Sequence, residues 1–166
     1  MTAIDELWTG LRLLLLLGVA NGAPILAHRL LGARGGAPLD AGLRFVDGRP
    51  LLGPSKTVRG VLAAVIATAA AAMLLGWTAA TGAVLGAAAM AGDALSSFVK
   101  RRLGIAPSGR AAGIDQVPES LLPLLAVRAA LGLAWWQVAA VTAAFLVLEV
   151  PLSRWLYRLH VRDRPY

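Results

Sequence analysis

Apolar residues run along this chain in stretches too long and too unbroken for an ordinary soluble fold. Five stand out: about Leu7 to Leu31, Val58 to Trp77, Thr81 to Val99, Ser120 to Leu133 and Trp135 to Tyr157. A helix needs about 20 mostly apolar residues to cross a bilayer. The pattern therefore predicts an all-α, polytopic membrane protein with about five transmembrane helices in a single unit spanning residues 1–166. The second stretch is alanine-rich and uncharged. The first is interrupted by Asn21, Pro24 and His28, and the third holds one charge, Asp93. The fourth is short and carries Arg128, which suits a helix covered by protein rather than by lipid.

Polar residues gather in two long connections, Gly32–Thr57 and Lys100–Glu119. The turns near Trp77–Thr81 and Gly132–Trp136 are short and uncharged. Basic residues follow the long connections. The first holds Arg34, Arg44, Arg49 and Lys56, with Arg59 just beyond. The second holds Lys100, Arg101, Arg102 and Arg110, and the tail holds Arg154, Arg158, Arg162 and Arg164. The positive-inside rule places all three on the cytoplasmic side of the cell membrane. With five spans, the N-terminus is then outside and the C-terminus inside. Trp77, Trp135 and Trp136 fall at the opposite interface, where aromatic belts form. Asp5 and Glu6 near the start, in place of a basic region, do not read as a signal peptide.

Composition sharpens the picture. The chain is 58% hydrophobic and 15% charged, with a mean hydropathy of +0.69. It is too apolar to present a wholly water-facing surface. It has no cysteine, which excludes a disulfide scaffold, thiolate chemistry and cysteine-built zinc sites. With two histidines and nine carboxylates, a metal site would be oxygen-rich. The net charge of +7 lies between apolar segments, which points to lipid headgroups or a phosphorylated substrate rather than to nucleic acid.

Asp93 is the first candidate for chemistry, because a carboxylate within a membrane segment is costly and usually faces the bundle interior. Asp93, Ser97 and Lys100 are spaced i, i+4 and i+7 and so share one helix face that runs toward the cytoplasmic edge. The structural alternative is an Asp93 that pairs with Arg128 or Lys100 merely to lock the bundle. Lys100-Arg101-Arg102 taken alone reads as a topology anchor. On the Asp93 face it supplies cations for phosphates beside a carboxylate for a metal, the needs of phosphoryl or nucleotidyl transfer. Gly113-Ile114-Asp115-Gln116 is either a turn and helix cap or the source of a second carboxylate; two carboxylates plus substrate phosphates suit magnesium.

Gly53-Pro54-Ser55-Lys56-Thr57-Val58-Arg59-Gly60 lacks the spacing of a P-loop and no strand precedes it. Its helix N-terminus, hydroxyl and two cations still suit an anionic phosphate. Gly35-Gly36-Ala37-Pro38-Leu39-Asp40 and Asp47-Gly48-Arg49 read equally as turn formers. Asn21 with Pro24 is a kink or a polar break facing the site. Gly18-x-x-x-Gly22 and Gly82-x-x-x-Gly86 read as close-packing surfaces, which permit a homodimer.

In this order, these blocks resemble the CDP-archaeol synthase family, membrane cytidylyltransferases related to the phosphatidate cytidylyltransferases. The resemblance runs from about Asn21 to Leu122. It is carried by Asn21-Gly-Ala-Pro24, Gly35 to Asp40, Asp47-Gly-Arg49 with Leu52 to Gly60, and Gly113-Ile-Asp-Gln116. The most specific block is Gly92-Asp-Ala-Leu-Ser-Ser-Phe-Val-Lys-Arg-Arg102. Where the archaeal pattern continues with a further aspartate, this chain has Val117-Pro118-Glu119.

The resemblance implies that CTP and a phosphorylated glycerolipid give a CDP-lipid, CDP-archaeol-like or CDP-diacylglycerol-like, and pyrophosphate, with Mg2+. It implies Asp93, Lys100 and Asp115 as catalytic residues, with Asp93 and Asp115 holding the metal. Gly53, Lys56, Thr57, Arg59, Ser97, Arg101 and Arg102 would bind CTP or phosphate, and Asn21, Asp40, Asp47, Gln116 and Glu119 would line a polar pocket. Two other readings compete: a small transporter or channel with Asp93 in an ion path, and a non-catalytic membrane scaffold. Clustered phosphate-type residues in the long loops, and the lack of inverted repeats, weigh against the transporter.

Overall fold

The computed structural model describes residues 2–32, 34–106 and 113–158. Arg110, Arg162 and Arg164, counted above among the basic residues, lie outside the described residues. Among the described residues there are five helices: α1 (Ala3–Leu31), α2 (Val58–Leu74), α3 (Ala79–Arg102), α4 (Gln116–Leu131) and α5 (Trp135–Arg158). The all-α expectation holds, and the boundaries move for local reasons. α1 starts before Leu7 because Thr2 and Asp5 form a reciprocal capping box. α2 stops at Leu74, short of Trp77, where Gly76 takes a φ of 79°. α3 starts at Ala79 because the Thr78 hydroxyl accepts from the N–H of Thr81, and it runs on through the basic triplet to Arg102. α4 starts at Gln116, ahead of Ser120, and ends where Gly132 adopts a left-handed conformation.

α1 and α3 are long and apolar enough to cross a membrane, and α2 and Trp135–Glu149 are shorter apolar helices. α3 is central, packed between α2 and α4, with α1 against α2. The core gathers Leu13, Leu16 and Leu17 of α1, Leu85 and Ala89 of α3, Leu124 and Val127 of α4, and Val138, Val141 and Phe145 of α5. Leu7, Leu15, Leu30, Ile66 and Val147 point outward. Large apolar side chains on the outside fit a bundle solvated by lipid tails.

Small residues set the closest approaches. A Cβ added at Gly82 would lie 2.4 Å from the Thr68 carbonyl oxygen, and one at Gly86 would lie 3.0 Å from that of Ala64. The Gly82–Gly86 pair is therefore a close-packing seam against α2, as its spacing predicts. Gly18 and Gly22 make no such seam among the described residues: a Cβ added at either would meet nothing within 4 Å outside its own stretch of helix. The buried stripe of α1 is Leu13, Leu16, Leu17 and Ala20, and the two glycines fall beside it. Pro24 does not break α1, which continues to Leu31. The Asn21 amide donates to the Leu17 carbonyl at 3.1 Å, inside its own helix, while Pro24 packs against Gly60 of α2. The polar-break reading of this segment is thereby replaced by a helix contact.

Candidate active site

The C-terminal end of α3, the N-termini of α2 and α4 and the loop between α1 and α2 meet at one end of the bundle. That loop is held in shape mainly by Asp40. The carboxylate is buried and accepts from the backbone N–H groups of Gly42 at 3.0 Å, Leu52 at 2.9 Å and Gly53 at 3.0 Å. Burial works to raise its pKa, but the N–H groups of Gly53, Leu52 and Gly42 together outweigh it and hold the carboxyl below its ordinary value. Pairing of Pro38 with Thr57 and of Arg44 with Pro50 completes the loop.

This frame delivers Lys56 to α3. Its Nζ lies 2.5 Å from both carboxylate oxygens of Asp93. The Glu119 carboxyl, in the first turn of α4, lies against that of Asp93, and both Lys56 and Glu149 of α5 lie near enough to act on it electrostatically. Two carboxyls in such contact need a proton or a cation between them. About two turns along the same face of α3, Lys100 Nζ lies 2.5 Å from Asp115 Oδ1. Arg101 is close enough to Asp115 to feel its charge and donates to the Ala106 carbonyl at 2.9 Å. Ser97 is buried between these two pairs in the α3 sequence. The predicted face of Asp93, Ser97 and Lys100 is thus present. The structural alternative is not: Asp93 pairs with neither Arg128 nor Lys100. Arg128 stacks on the Trp135 ring at 3.9 Å, at the far end of the bundle.

α3 and α4 approach so closely here that a Cβ on Gly92 would lie 2.2 Å from the Pro118 carbonyl oxygen. Glycine at 92 is what allows Glu119 to reach Asp93.

Several expected phosphate ligands are engaged elsewhere. Thr57 is the N-cap of α2, its hydroxyl accepting from the N–H of Gly60 at 3.1 Å. The Gly53 N–H is taken by Asp40. Arg59 donates to the carbonyls of Gly32, at 2.7 Å, and Arg34, and lies 3.0 Å from His28 Nδ1, closing the end of α1. Arg102 is bound to Asp47 Oδ1 at 2.7 Å and donates to the Pro50 carbonyl at 2.6 Å. Gln116 accepts from the N–H of Gly113 at 2.7 Å, shaping the turn before α4. Asn21 stays within α1. Sequence reasoning missed Arg49, which donates to the carbonyls of Arg101 and Arg102 and caps α3. The Asp47-Gly48-Arg49 turn was its only signal, and turn chemistry says nothing of a helix end 52 residues away.

Known proteins match this arrangement along almost its whole length. The model of the family described as CarS-like, CDP-archaeol synthase, matches residues 7–166. The CDP-archaeol synthase of Aeropyrum pernix is 38% identical over 156 residues, covering 90% of this chain and 86% of the relative. That of Methanopyrus kandleri is 42% identical over 118 residues, covering 68% and 65%.

The chain belongs to the CDP-archaeol synthase family.

A solved structure described as an intramembrane enzyme for archaeal membrane lipids biosynthesis superposes with a TM-score of 0.73 at 36% identity, covering 85% of this chain and 90% of that one. The protein is accordingly a membrane nucleotidyltransferase, a CTP-dependent lipid cytidylyltransferase. Membership of the family sets aside the transporter and scaffold readings.

Proposed function

We propose that this end of the bundle joins CTP to a phosphorylated archaeol-type ether lipid, as the names of the curated relatives suggest. The observation that carries the site is the run of Lys56–Asp93–Glu119 and Lys100–Asp115 along one face of α3. The loops and the site face the cytoplasm, where CTP is found, with the N-terminus outside. A homodimer is compatible with the fold, and a dimer seam would have to use outward surfaces such as Gly18 and Gly22.

The reaction needs charge handling more than proton transfer. A phosphate-monoester oxygen of the lipid is already anionic, so it attacks the α-phosphorus without a general base. The new P–O bond forms as the bond to the bridging oxygen breaks, and that electron pair leaves on pyrophosphate. Lys56 and Lys100 offer compact ammonium charges to phosphate oxygens, and Arg101 adds a third cation. Before substrate arrives, Asp93 and Asp115 hold the two lysines in place. Positioning and electrostatic stabilisation then supply the rate.

The donor set fits a hard divalent cation. Asp93 and Glu119 meet carboxyl to carboxyl, an arrangement that a cation stabilises, and Asp115 lies further along the same face. Asp93 with Glu119 would hold Mg2+, and Asp115, the other ligand expected, would reach it through water or a substrate phosphate. When bound it would offset the negative charge of the triphosphate and of the departing pyrophosphate. Among the described residues no three metal-ligating side chains are gathered, so substrate oxygens and water would complete the shell.

The test is CTP turnover in liposomes with magnesium, offering an ether-lipid phosphate and phosphatidic acid in parallel. A CDP-lipid from the ether acceptor is expected. Product from phosphatidic acid alone would overturn the choice of acceptor, and no product from a folded protein that also fails to bind CTP would overturn the site.

A further inference from the structure

α3 has two faces at its charged end, and the first loop grips both. Asp93, Ser97 and Lys100 lie on the inner one. Five residues past Asp93, Phe98 is turned about 140° away, and nine residues past it Arg102 is about 180° away. Phe98 and Arg102 continue an outward stripe of Val84, Ala87, Ala91 and Leu95, all exposed. In a membrane protein that stripe meets lipid.

The hairpin from Leu43 to Leu51 sits on the end of this stripe. Its backbone closes through the Phe45 N–H to the Arg49 carbonyl at 2.9 Å and the Leu51 N–H to the Leu43 carbonyl at 2.8 Å. Phe45 packs edge-on against Phe98, with ring centroids 5.4 Å apart. The Arg102 guanidinium lies over both rings, 4.7 Å from Phe45 and 5.0 Å from Phe98. Fastened in this way, the hairpin presents Leu43, Val46 and, from the end of α3, Leu103. Val46 at the tip is 93% exposed, Leu43 62% and Leu103 60%. Single exposed apolar residues are ordinary, but a cluster that continues a lipid-facing stripe marks an interaction surface.

We propose that this hairpin is a membrane anchor, its Leu43–Val46 tip, with Leu103, inserting into the leaflet at the loop end of α3. The charges beside it favour lipid over a second copy of the chain. Arg44 lies next to the apolar tip and is exposed; anionic headgroups attract it, whereas an identical basic patch repels it. Asp47, the acidic residue at the tip, is already neutralised by Arg102. Because Arg49 also caps α3, insertion fixes the height of the loop and of the Lys100–Arg101 end of the helix at the bilayer surface. The inference uses the membrane setting of the chain, not the residue roles proposed for catalysis.

The absence of cysteine makes a clean test available. Val46→Cys is labelled with a nitroxide in the full-length protein, reconstituted in vesicles of neutral and anionic phospholipid. Collision rates with oxygen and with a water-soluble nickel complex then report depth. Leu95→Cys serves as the lipid-facing reference, and Leu43→Cys gives a second reading of the tip. Suppressed nickel collisions at Val46, close to those at Leu95, with oxygen collisions enhanced, are expected. Water-like nickel collisions at both Val46 and Leu43 would overturn the anchor. So would dipolar broadening between labels on two copies, which would identify the patch as a protein interface instead. Neither readout depends on CTP turnover.

Discussion

At the inner face of α3, Lys56 and Lys100 each meet a carboxylate at 2.5 Å. Around it, Arg49, Arg59 and Arg102 spend their guanidinium groups chiefly on backbone carbonyls at helix ends and in the hairpin. In the sequence all five are cations in or beside the two long connections. In the fold they divide by chemistry. The planar guanidinium fork reaches two acceptors at once and suits orphaned carbonyls at a helix C-terminus, while the lysine ammonium is a compact charge that can pass from a carboxylate to a phosphate. On the proposed reading the two lysines serve substrate, while Arg49, Arg59 and Arg102 hold the frame.

The strongest way to break that division is Asp93→Asn. It removes the charge that Lys56 and Glu119 converge on, and turnover should fall roughly 100- to 1000-fold while the protein stays folded. An Asp93→Asn protein with full magnesium-dependent turnover would sink the metal assignment.

Next comes a paired comparison read by CTP binding and thermal unfolding. Lys56→Ala should weaken CTP or lipid-phosphate engagement by roughly 10-fold or more, as expected for the loss of a charged contact. Arg59→Ala should instead lower stability by about 1–3 kcal/mol, through the loss of its carbonyl bonds and the α1 cap, with CTP affinity nearly unchanged. The reverse pattern would place Arg59 in the phosphate site.

Gly92→Ala should force α4 away from α3, at a cost of about 1–3 kcal/mol, and reduce turnover with it, because Glu119 moves from Asp93. Gly18→Ala is the matched control with open space around it and should leave both unfolding and turnover unaltered.

The smallest effect concerns acid. The carboxyl of Asp40 is held below its ordinary value, near 3.8, in the folded loop. Its contribution is therefore present at pH above that ordinary value and is lost as pH falls through the lower, folded one. Hydrogen exchange at the Leu52 and Gly53 amides, taken relative to the intrinsic rate at each pH, should stay slow at neutral pH and quicken on acidification. Asp40→Asn should quicken it already at neutral pH, by about 1–2 kcal/mol of lost protection. Exchange that ignores both changes would mean that Asp40 is not what holds the loop.

Much of this molecule follows from local patterns. Unbroken apolar runs require helices in a bilayer, because no water is there to satisfy an open backbone. The i, i+4, i+7 spacing placed Asp93, Ser97 and Lys100 on one face before any contact was known, since helical geometry alone decides it. Motif order carried the resemblance to the family, and the Gly82–Gly86 spacing announced a seam that the packing contains.

Local patterns could not say which cation meets which carboxylate. Lys56 and Asp93 are 37 residues apart, and Arg49 and Arg102 are 53. Nothing in their neighbourhoods distinguishes a phosphate-binding arginine from a helix cap, because both are guanidinium groups beside glycine turns. The same blindness applied to Gly18 and Gly22, whose spacing matched a seam although a Cβ at either would meet nothing among the described residues beyond its own stretch of helix. The helices, their faces and the chemistry available at one end of the bundle are written in the local patterns of the chain. Which groups meet there emerges only in the folded bundle, because the pairing depends on how the loop wraps α3 and on how closely Gly92 lets α4 approach, and neither is encoded in any short stretch of the chain.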